Sequence, residues 1–339
     1  RLKNAIQQVE LEKNIPNPEL HSLSSLADVT LTSLASLYEP DDIISTGFKK
    51  LNSVLNGFYP GELVYVGGRP SMGKTMFLVN LALNMSTATP ILYFSYDLPP
   101  KRLSARFIAA VSDVEPGKVL SRQIFGPMLL QVQHHSKELQ KLPIYISSDF
   151  SNSVENMREF VEKQIAEKGI KVVMIDYVQL MGSLKQRNGR EYELTNISRE
   201  LKRMANELNI CVIASSQLSR NPEQRSGDHK PKLSDLRDSG SLEQDADKVL
   251  MLHRAEYYGI TTDGDGNSLI GLLELIISKN RSGPIGSIYL KRSSTFAKIS
   301  EFAGFDDDIE ISMKRMSEID GLIGDIPITF TDNDDNSPF

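Results

Sequence analysis

A glycine-rich run followed by a lysine and a threonine carries the strongest chemical signal in the chain. The pattern GxxxxGKT is formed by Gly68, Arg69, Pro70, Ser71, Met72, Gly73, Lys74 and Thr75. Glycines let the backbone wrap around a phosphate so that amide N–H groups point inward, and a following helix adds partial positive charge. In this pattern the lysine reaches the β and γ phosphates and the hydroxyl holds Mg²⁺. The run predicts a site for ATP, or a close relative of it, together with Mg²⁺.

The segments on either side of this run have the character that a phosphate loop requires. Leu63 to Val66 is an apolar run typical of a strand, and Met76 to Met85 is typical of a helix. A glycine turn that precedes a helix by chance is the alternative interpretation. It does not explain why both flanking elements are present.

Three polar residues stand at or just beyond the ends of other apolar runs. Asp176 ends KVVMID, and we expect its carboxylate to help hold Mg²⁺, although a helix cap or turn residue is the alternative. Asp97 follows ILYFSY and is a candidate to align the attacking water, unless it caps the helix that Pro99 and Pro100 begin. Gln217 ends ICVIASSQ and is a candidate γ-phosphate sensor, although exposed loop glutamines are common.

These residues need a sheet to position them, and the chain alternates between strand-like and helix-like segments. An alternation of this kind predicts an α/β fold with a largely parallel sheet that is covered on both faces. Strands are predicted at Leu63 to Val66, Ile91 to Ser95, Ile144 to Ile146, Val172 to Ile175, Cys211 to Ser215, Val249 to Leu252 and Leu272 to Ile277. Helices are predicted near 74–86, 100–112, 153–168 and 191–208, and Ser282, Gly283 and Pro284 suit a hairpin tip.

Composition excludes several classes of protein. The single cysteine, Cys211, leaves no disulfide framework and no cysteine-based zinc site, and no apolar stretch approaches the roughly 20 residues that span a bilayer. A soluble, cytoplasmic protein is therefore expected. The net charge of −6 argues against a surface that is basic throughout, but 184–190 and 279–281 are locally basic. A local nucleic-acid site on an acidic body is the better interpretation.

The residues before the first strand contain a leucine-rich segment. Leucines at positions 20, 23, 26, 31, 34 and 37 have helical spacing, which predicts a helix at about 20–38 that ends before Pro40. This helix packs either on its own core or, as an arm, on a neighbouring subunit. The sequence begins with Arg1 rather than methionine, so we expect it to be part of a longer chain.

Several runs, taken in order, resemble the motifs of the DnaB-type replicative helicases. These runs are GGRPSMGKT, VVMIDYVQLM, SSQLSRNPEQR, SDLRDSGSLEQDAD and SKNRSGPIG, and the resemblance extends over residues 46–304, roughly three quarters of the chain. SDLRDSGSLEQDAD separates this family from other RecA-like ATPases. The resemblance implies a RecA-like P-loop NTPase sandwich with a largely parallel central sheet.

The resemblance also implies a function. It implies an ATP-driven 5′–3′ DNA helicase that forms a homo-hexameric ring around single-stranded DNA, with ATP at each subunit interface and with primase and a helicase loader as partners. In that family the residue at the Asp97 position aligns the water and the residue at the Gln217 position senses the γ-phosphate. Lys279 and Arg281 match a basic pair that reaches into the neighbouring site, where positive charge offsets charge on the transferred phosphoryl group. The alternative for this pair is a solvated hairpin.

Two segments are candidates for contact with DNA. The first, matched by the resemblance, contains Arg237, Asp238, Ser239 and Gly240, and the second is the basic loop with Lys185, Arg187 and Arg190. Backbone amides and cations of this kind bind phosphates without reading sequence. The first segment is otherwise a capped turn before a helix at Leu242 to Ala246, and the second is otherwise a solvated face.

The predicted organisation has three parts. Residues 1–44 form a linker region whose helix, by resemblance, docks on an adjacent subunit; 45–305 form the RecA-like ATPase domain; and 306–339 form an acidic tail with a possible short helix. One departure concerns Asp97, because the family usually has glutamate there, and the shorter side chain predicts slower hydrolysis. A nucleotide-gated DNA-binding or loading module with weak hydrolysis, or a RecA-like recombinase, therefore stays open as an alternative.

Overall fold

The protein is described by a computed structural model over residues 43–147, 153–182, 189–219, 221–225, 227–236 and 240–304, together with 22–24, 27 and 31. The chain divides into two compact units, residues 1–43 and 44–339. Most of the helix predicted at 20–38, the tail 306–339, and the predicted DNA contacts Lys185, Arg187, Arg237, Asp238 and Ser239 lie outside the described residues.

The second unit is built on a nine-stranded sheet with the order β3-β2-β4-β5-β1-β6-β7-β8-β9. The strands are β1 (Leu63–Gly68), β2 (Ile91–Ser95), β3 (Ile144–Ser147), β4 (Val172–Asp176), β5 (Cys211–Gln217), β6 (Lys248–His253), β7 (Leu272–Asn280), β8 (Gly286–Arg292) and β9 (Ile299–Glu301). Strands β1 to β6 pair in parallel, and β7 to β9 continue the sheet antiparallel. The prediction of a largely parallel sheet is confirmed.

The described helices of the second unit lie in the connections between strands, except for one that precedes the first strand. They are α1 (Lys49–Leu55), α2 (Lys74–Met85), α3 (Pro100–Ser112), α4 (Pro116–Leu120), α5 (Gly126–Leu139), α6 (Val154–Lys168), α7 (Arg190–Glu207), α8 (Asn221–Gln224) and α9 (Gly240–Asp245), with 3-10 turns at Val178–Leu180, Leu233–Asp235 and Ala255–Tyr258. In the part of the chain that the structure describes, each helix is too short or too polar to cross a membrane.

Apolar side chains fill both faces of the sheet. Successive residues of β1 point to opposite sides, so that Leu63 and Tyr65 join one buried cluster while Val64 and Val66 join the other. Burial of an aliphatic side chain of this size contributes roughly 1.5–3 kcal/mol relative to exposure. Both layers therefore hold β1 at the centre of the sheet, where its last residue enters the phosphate loop.

The ladder between β6 and β7 contains one irregularity. Val249 pairs with Lys279 and Leu250 pairs with Ile277, so Ser278 has no partner across the ladder. Beyond it, β7 and β8 form a hairpin whose tip includes 282–284, as predicted from the sequence.

Candidate nucleotide-binding site

The glycine loop connects the end of β1 to the start of α2. Gly73 is the N-cap of α2 and has φ +97°, a conformation that side chains with a Cβ rarely adopt. A Cβ at this position would also lie 2.9 Å from the terminal carbon of Met76. Backbone geometry therefore requires the glycine that the sequence pattern places here.

Lys74 folds back over the loop. Its amino group donates to the carbonyl oxygens of Gly68 at 2.8 Å and Arg69 at 3.3 Å. Burial lowers the pKa of Lys74 to about 8; Asp176 and Asp97 oppose this shift and Arg69 adds to it. Bound phosphates would favour the protonated form, since opposite charges at close range stabilise one another.

Thr75 and Asp176 meet where the resemblance expects a magnesium ion. The Thr75 hydroxyl donates to the Asp176 carboxylate at 2.7 Å. Asp176, which is only 3% exposed, also accepts hydrogen bonds from Tyr93 at 3.2 Å and Ser215 at 2.5 Å. One carboxylate and one hydroxyl fit Mg²⁺, which takes most of its remaining ligands from phosphates and water. Among the described residues, no group of three or more acidic, histidine or cysteine side chains could hold a metal ion.

One cavity of about 420 Å³ unites the predicted catalytic residues of the cradle. Its lining includes Lys74, Thr75, Asp97, Asp176 and Gln217, together with Pro70, Ser71, Gly73, Met76, Arg106, Tyr177, Arg254 and Phe296. Strands β2, β4, β5 and β1 are neighbours in the sheet and run parallel. Their carboxyl ends therefore lie at one edge, next to the loop. At this edge Gly68 and Gln217, which lie 149 positions apart in the sequence, are paired in the register of β1 and β5.

Asp97 does not cap the helix that follows it. The N-cap of α3 is Pro99, and no side chain accepts a capping hydrogen bond there. Asp97 is exposed and lines the cavity with Lys74 and Asp176. Its position therefore agrees with the catalytic interpretation better than with the capping alternative.

Five residues of the cavity wall were not predicted from the sequence, namely Met76, Arg106, Tyr177, Arg254 and Phe296. Phe296 is 48% exposed, and the guanidinium groups of Arg292 and Arg254 lie 3.7 Å and 5.2 Å from its ring centre. Arg254 also donates to the carbonyl oxygen of Ser71 in the phosphate loop at 3.0 Å. Arg254 directly follows β6, so the search for polar residues at strand ends could have found it. Phe296 carries no comparable signal in the sequence.

Lys279 and Arg281 do not line their own cavity. Lys279 donates to the carbonyl oxygen of Glu243 at 2.6 Å, at the end of α9. Arg281 donates to the carbonyl oxygen of Gln244 at 2.7 Å and pairs with Asp247 at 3.3 Å, and its side chain is 48% exposed. Burial lowers the pKa of Lys279, and the neighbouring charge of Arg281 lowers it further.

Only parts of the predicted DNA contacts are described. Gly240 is the first residue of α9, which runs from Gly240 to Asp245 where the sequence predicted a helix at Leu242 to Ala246. Arg190 is the first residue of α7. Both positions therefore begin helices.

The sheet and the loop together define the class of protein. The central strand β1 ends in the phosphate loop, and the strand that carries Asp176 is separated from it by β5 alone. An arrangement in which one strand intervenes between these two is that of a P-loop ATPase with a RecA-like fold.

Residues 43–301 match the family described as "DnaB-like helicase C terminal domain", and the chain belongs to that family. It is 41% identical over 264 residues to the "Probable replicative DNA helicase" of Trieres chinensis, which covers 76% of this chain and 57% of that protein. The chain spans about three fifths of the length of the curated relatives it matches first.

Two solved structures have the same fold. The "ATPase Domain of G40P" matches with a TM-score of 0.76 at 30% identity, over 84% of this chain and 100% of that chain. A structure described as that of a DnaB-like replicative helicase and its interactions with primase matches with a TM-score of 0.75 at 30% identity, over 89% of this chain and 71% of that chain.

Proposed function

We propose that this chain is the ATP-hydrolysing motor of a replicative DNA helicase, which moves along single-stranded DNA as a hexameric ring and unwinds duplex DNA. The observation that carries the proposal is the cavity in which Lys74, Thr75, Asp97, Asp176 and Gln217 converge. Family membership supports the assignment. The relative named above is described as a probable replicative DNA helicase, and this chain matches 57% of its length.

ATP binds with its phosphates in the loop from Gly68 to Thr75. The protonated Lys74 faces the β and γ phosphates, and the backbone N–H groups of the loop hold the oxygens. The rest of the nucleotide lies near Phe296 and Arg254, because both residues line the same cavity as the loop. Arg106 adds a second cation from α3.

Thr75 and Asp176 would hold Mg²⁺, which would neutralise charge on the phosphate oxygens. Asp97 orients the attacking water and accepts its proton. Gln217 contacts the γ-phosphate through its side-chain amide. Hydrolysis of ATP and release of the γ-phosphate therefore remove this contact at the end of β5.

Lys279 and Arg281 complete the neighbouring subunit's site. Their hairpin lies outside the cavity of their own chain, and Arg281 is half exposed, which leaves it accessible to a second copy. Positive charge supplied in this way stabilises the transition state for phosphoryl transfer and contributes about 10³- to 10⁵-fold to the rate. A ring built of such interfaces uses every subunit twice, once for its phosphate loop and once for its hairpin.

Hydrolysis drives movement through the segments that contact DNA. The proposed contacts are Arg237, Asp238, Ser239 and Gly240, with Lys185, Arg187 and Arg190 as a second set. The first set follows Gln217 in the chain, and the second follows Asp176.

The helix at 20–38, within a linker region of residues 1–44, docks on an adjacent subunit. The motor comprises residues 45–305, and primase and a helicase loader are its partners.

The test uses two variants, one that lacks the lysine of the phosphate loop and one that lacks the arginine of the hairpin. Lys74→Ala and Arg281→Ala are each expected to abolish DNA-stimulated ATP hydrolysis and unwinding, while Arg281→Ala still binds nucleotide nearly normally. Mixed rings of the two inactive variants are expected to regain activity, because some interfaces then pair an intact loop with an intact hairpin. Lys291→Ala, which removes an exposed cation from β8, serves as the control and retains the wild-type rate. Normal turnover by Arg281→Ala alone would remove the claim that the site is shared.

Asp97 favours a second candidate, a nucleotide-gated module that loads onto DNA and hydrolyses slowly. Aspartate holds its carboxylate about 1 Å further from the phosphates than glutamate does, and misplacement of this size costs about 100-fold in rate. Steady-state turnover with and without single-stranded DNA distinguishes the two functions. The motor requires turnover that rises when DNA is added.

A further inference from the structure

A single side chain, that of Gln179, forms hydrogen bonds with the backbone of Gln217. The side-chain oxygen of Gln179 accepts a hydrogen bond from the Gln217 N–H at 3.1 Å. The side-chain nitrogen of Gln179 donates to the Gln217 carbonyl oxygen at 3.2 Å and to the Ser216 hydroxyl at 2.8 Å. The side-chain amide of Gln179 therefore pairs with both the N–H and the carbonyl group of Gln217, as the backbone of a neighbouring strand would.

Gln179 lies next to a residue that anchors its turn in the core. It lies in the Val178–Leu180 turn, three residues after Asp176, and Val178 is fully buried. The same turn therefore follows the strand that carries the proposed magnesium ligand. Since β4 and β5 are neighbours, Gln179 bridges the ends of the two strands that supply Asp176 and Gln217.

A second anchor lies on the other side of Gln217. The guanidinium group of Arg69, in the phosphate loop, donates to the carbonyl oxygen of Leu218 at 2.9 Å. Arg69 is 8% exposed and pairs with Glu223 at 2.8 Å. The residue after Gln217 is therefore fastened to the loop that holds the phosphates, and the residue before it to Gln179.

We infer that Gln179 is a positioning residue for the γ-phosphate contact of Gln217, an inference that rests on the proposed function. Gln179 lines no part of the cavity in the described chain, and it reaches the strand that carries Gln217 through the Gln217 backbone and the Ser216 hydroxyl. The side chain of Gln217 projects from the last residue of β5, where the ladder no longer constrains it on both sides. With its N–H and carbonyl group held by Gln179, the direction of the Gln217 amide is set before ATP binds, and loss of γ-phosphate is transmitted to β4 as well as β5.

The experiment compares Gln179→Leu with Gln217→Leu and with the double variant in the full chain. We expect Gln179→Leu to lower kcat for ATP hydrolysis at least about tenfold, since a displacement of about 1 Å at a catalytic contact costs up to 100-fold. The affinity for ADP, which lacks the γ-phosphate, stays within twofold. The double variant is no slower than Gln217→Leu, because the effect of Gln179 on hydrolysis passes through Gln217.

A matched control comes from another glutamine with a backbone contact. Gln131 donates to the carbonyl oxygen of Ser112 at 2.9 Å and lies outside the cavity, so Gln131→Leu keeps the wild-type kcat. If Gln179→Leu fails to fold, Gln179→Glu decides. That variant keeps the acceptor for the Gln217 N–H but places a carboxylate oxygen against the Gln217 carbonyl oxygen, and the same loss of kcat is expected.

Three results overturn the inference: unchanged kcat in the folded Gln179 variant, a loss of ADP affinity that matches the loss of kcat, or losses that multiply in the double variant. A wild-type chain that does not hydrolyse ATP refutes the proposed function itself and is thereby distinguished from these results.

Discussion

The hydroxyl of Thr75 donates to the carboxylate of Asp176 at 2.7 Å and so joins the first turn of α2 to the end of β4. This contact connects the loop that cradles phosphate with the strand that supplies the proposed metal ligand. The two residues are 101 positions apart, so only the folded sheet brings them together. The consequences of this arrangement are open to direct measurement.

Thr75→Val removes the hydroxyl and keeps the shape of the side chain. We expect the affinity for ATP in the presence of Mg²⁺ to fall at least about tenfold, since a lost hydrogen bond to a charged group costs about 1.5–3 kcal/mol. Affinity measured in EDTA changes much less. Thr87→Val, at an exposed position beyond α2, is the control and leaves both affinities as they are. Equal losses with and without Mg²⁺ would contradict the role in metal binding.

We expect nucleotide binding to be accompanied by the uptake of a proton at alkaline pH. Because burial lowers the pKa of Lys74 to about 8, much of the free protein has a neutral amine at pH 8.5, and phosphates raise the pKa again. Affinity for ATP is therefore full below pH 8 and falls as the pH rises above it. Calorimetry at pH 8.5 in two buffers with different ionisation enthalpies measures the proton. In Lys74→Arg the uptake disappears, since arginine stays charged, and equal uptake in both proteins would refute this assignment.

We expect the protein to lose stability as the pH falls below neutrality, because the pKa of the buried His253 is lowered. This side chain is 2% exposed; its burial, with the positive charge of Lys230, lowers its pKa to about 4. The unfolded chain then binds more protons than the folded one between about pH 6.5 and 4, so stability present at pH 7 is lost as the pH drops through this range. The expected loss from pH 7 to 5 is about 2 kcal/mol.

Denaturant unfolding of the wild type and His253→Phe measures this loss. The variant keeps an aromatic ring against Tyr258, and its stability is expected to change less between pH 7 and 5. Between pH 7 and 9 the two proteins show the same pH dependence, because His253 does not titrate there. Identical acid sensitivity of both proteins would show that other groups cause it.

Asp97→Asn removes the proposed base and keeps the size of the side chain. We expect ATP turnover to fall about 10²- to 10⁴-fold, the usual range for general base catalysis. Asp97→Glu restores the length usual in the family and raises turnover above that of the wild type. Asp265→Asn, at an exposed position, is the control. Wild-type turnover by Asp97→Asn would show that another group aligns the water.

Seven of the nine described strands and the glycine loop were predicted from the sequence because they have local causes, whereas β8 and β9 were not predicted. All seven predicted strands are present, since a buried parallel strand such as Val172–Asp176 is a continuous apolar run bounded by polar residues. Asp97, Asp176 and Gln217 were found together because the carboxyl ends of parallel strands meet at one edge.

Other elements have no such local cause. Helix α5 was missed because only Val132 among its residues is buried, so no apolar stripe marks it. Phe296 reaches the cavity through the turn after β8, which only the folded sheet brings there. The hydrogen bonds between Gln179 and Gln217 join two residues that lie 38 positions apart in the sequence.

Ser278, which has no partner between β6 and β7, determines which side of the sheet carries Lys279. Side chains alternate along a strand, so one extra residue exchanges the inward and outward positions of everything that follows. Without it, the amine that now meets the end of α9 would project from the opposite surface. A single unpaired position in the ladder thus sets the orientation of the cations that we propose to act on a second copy of the chain.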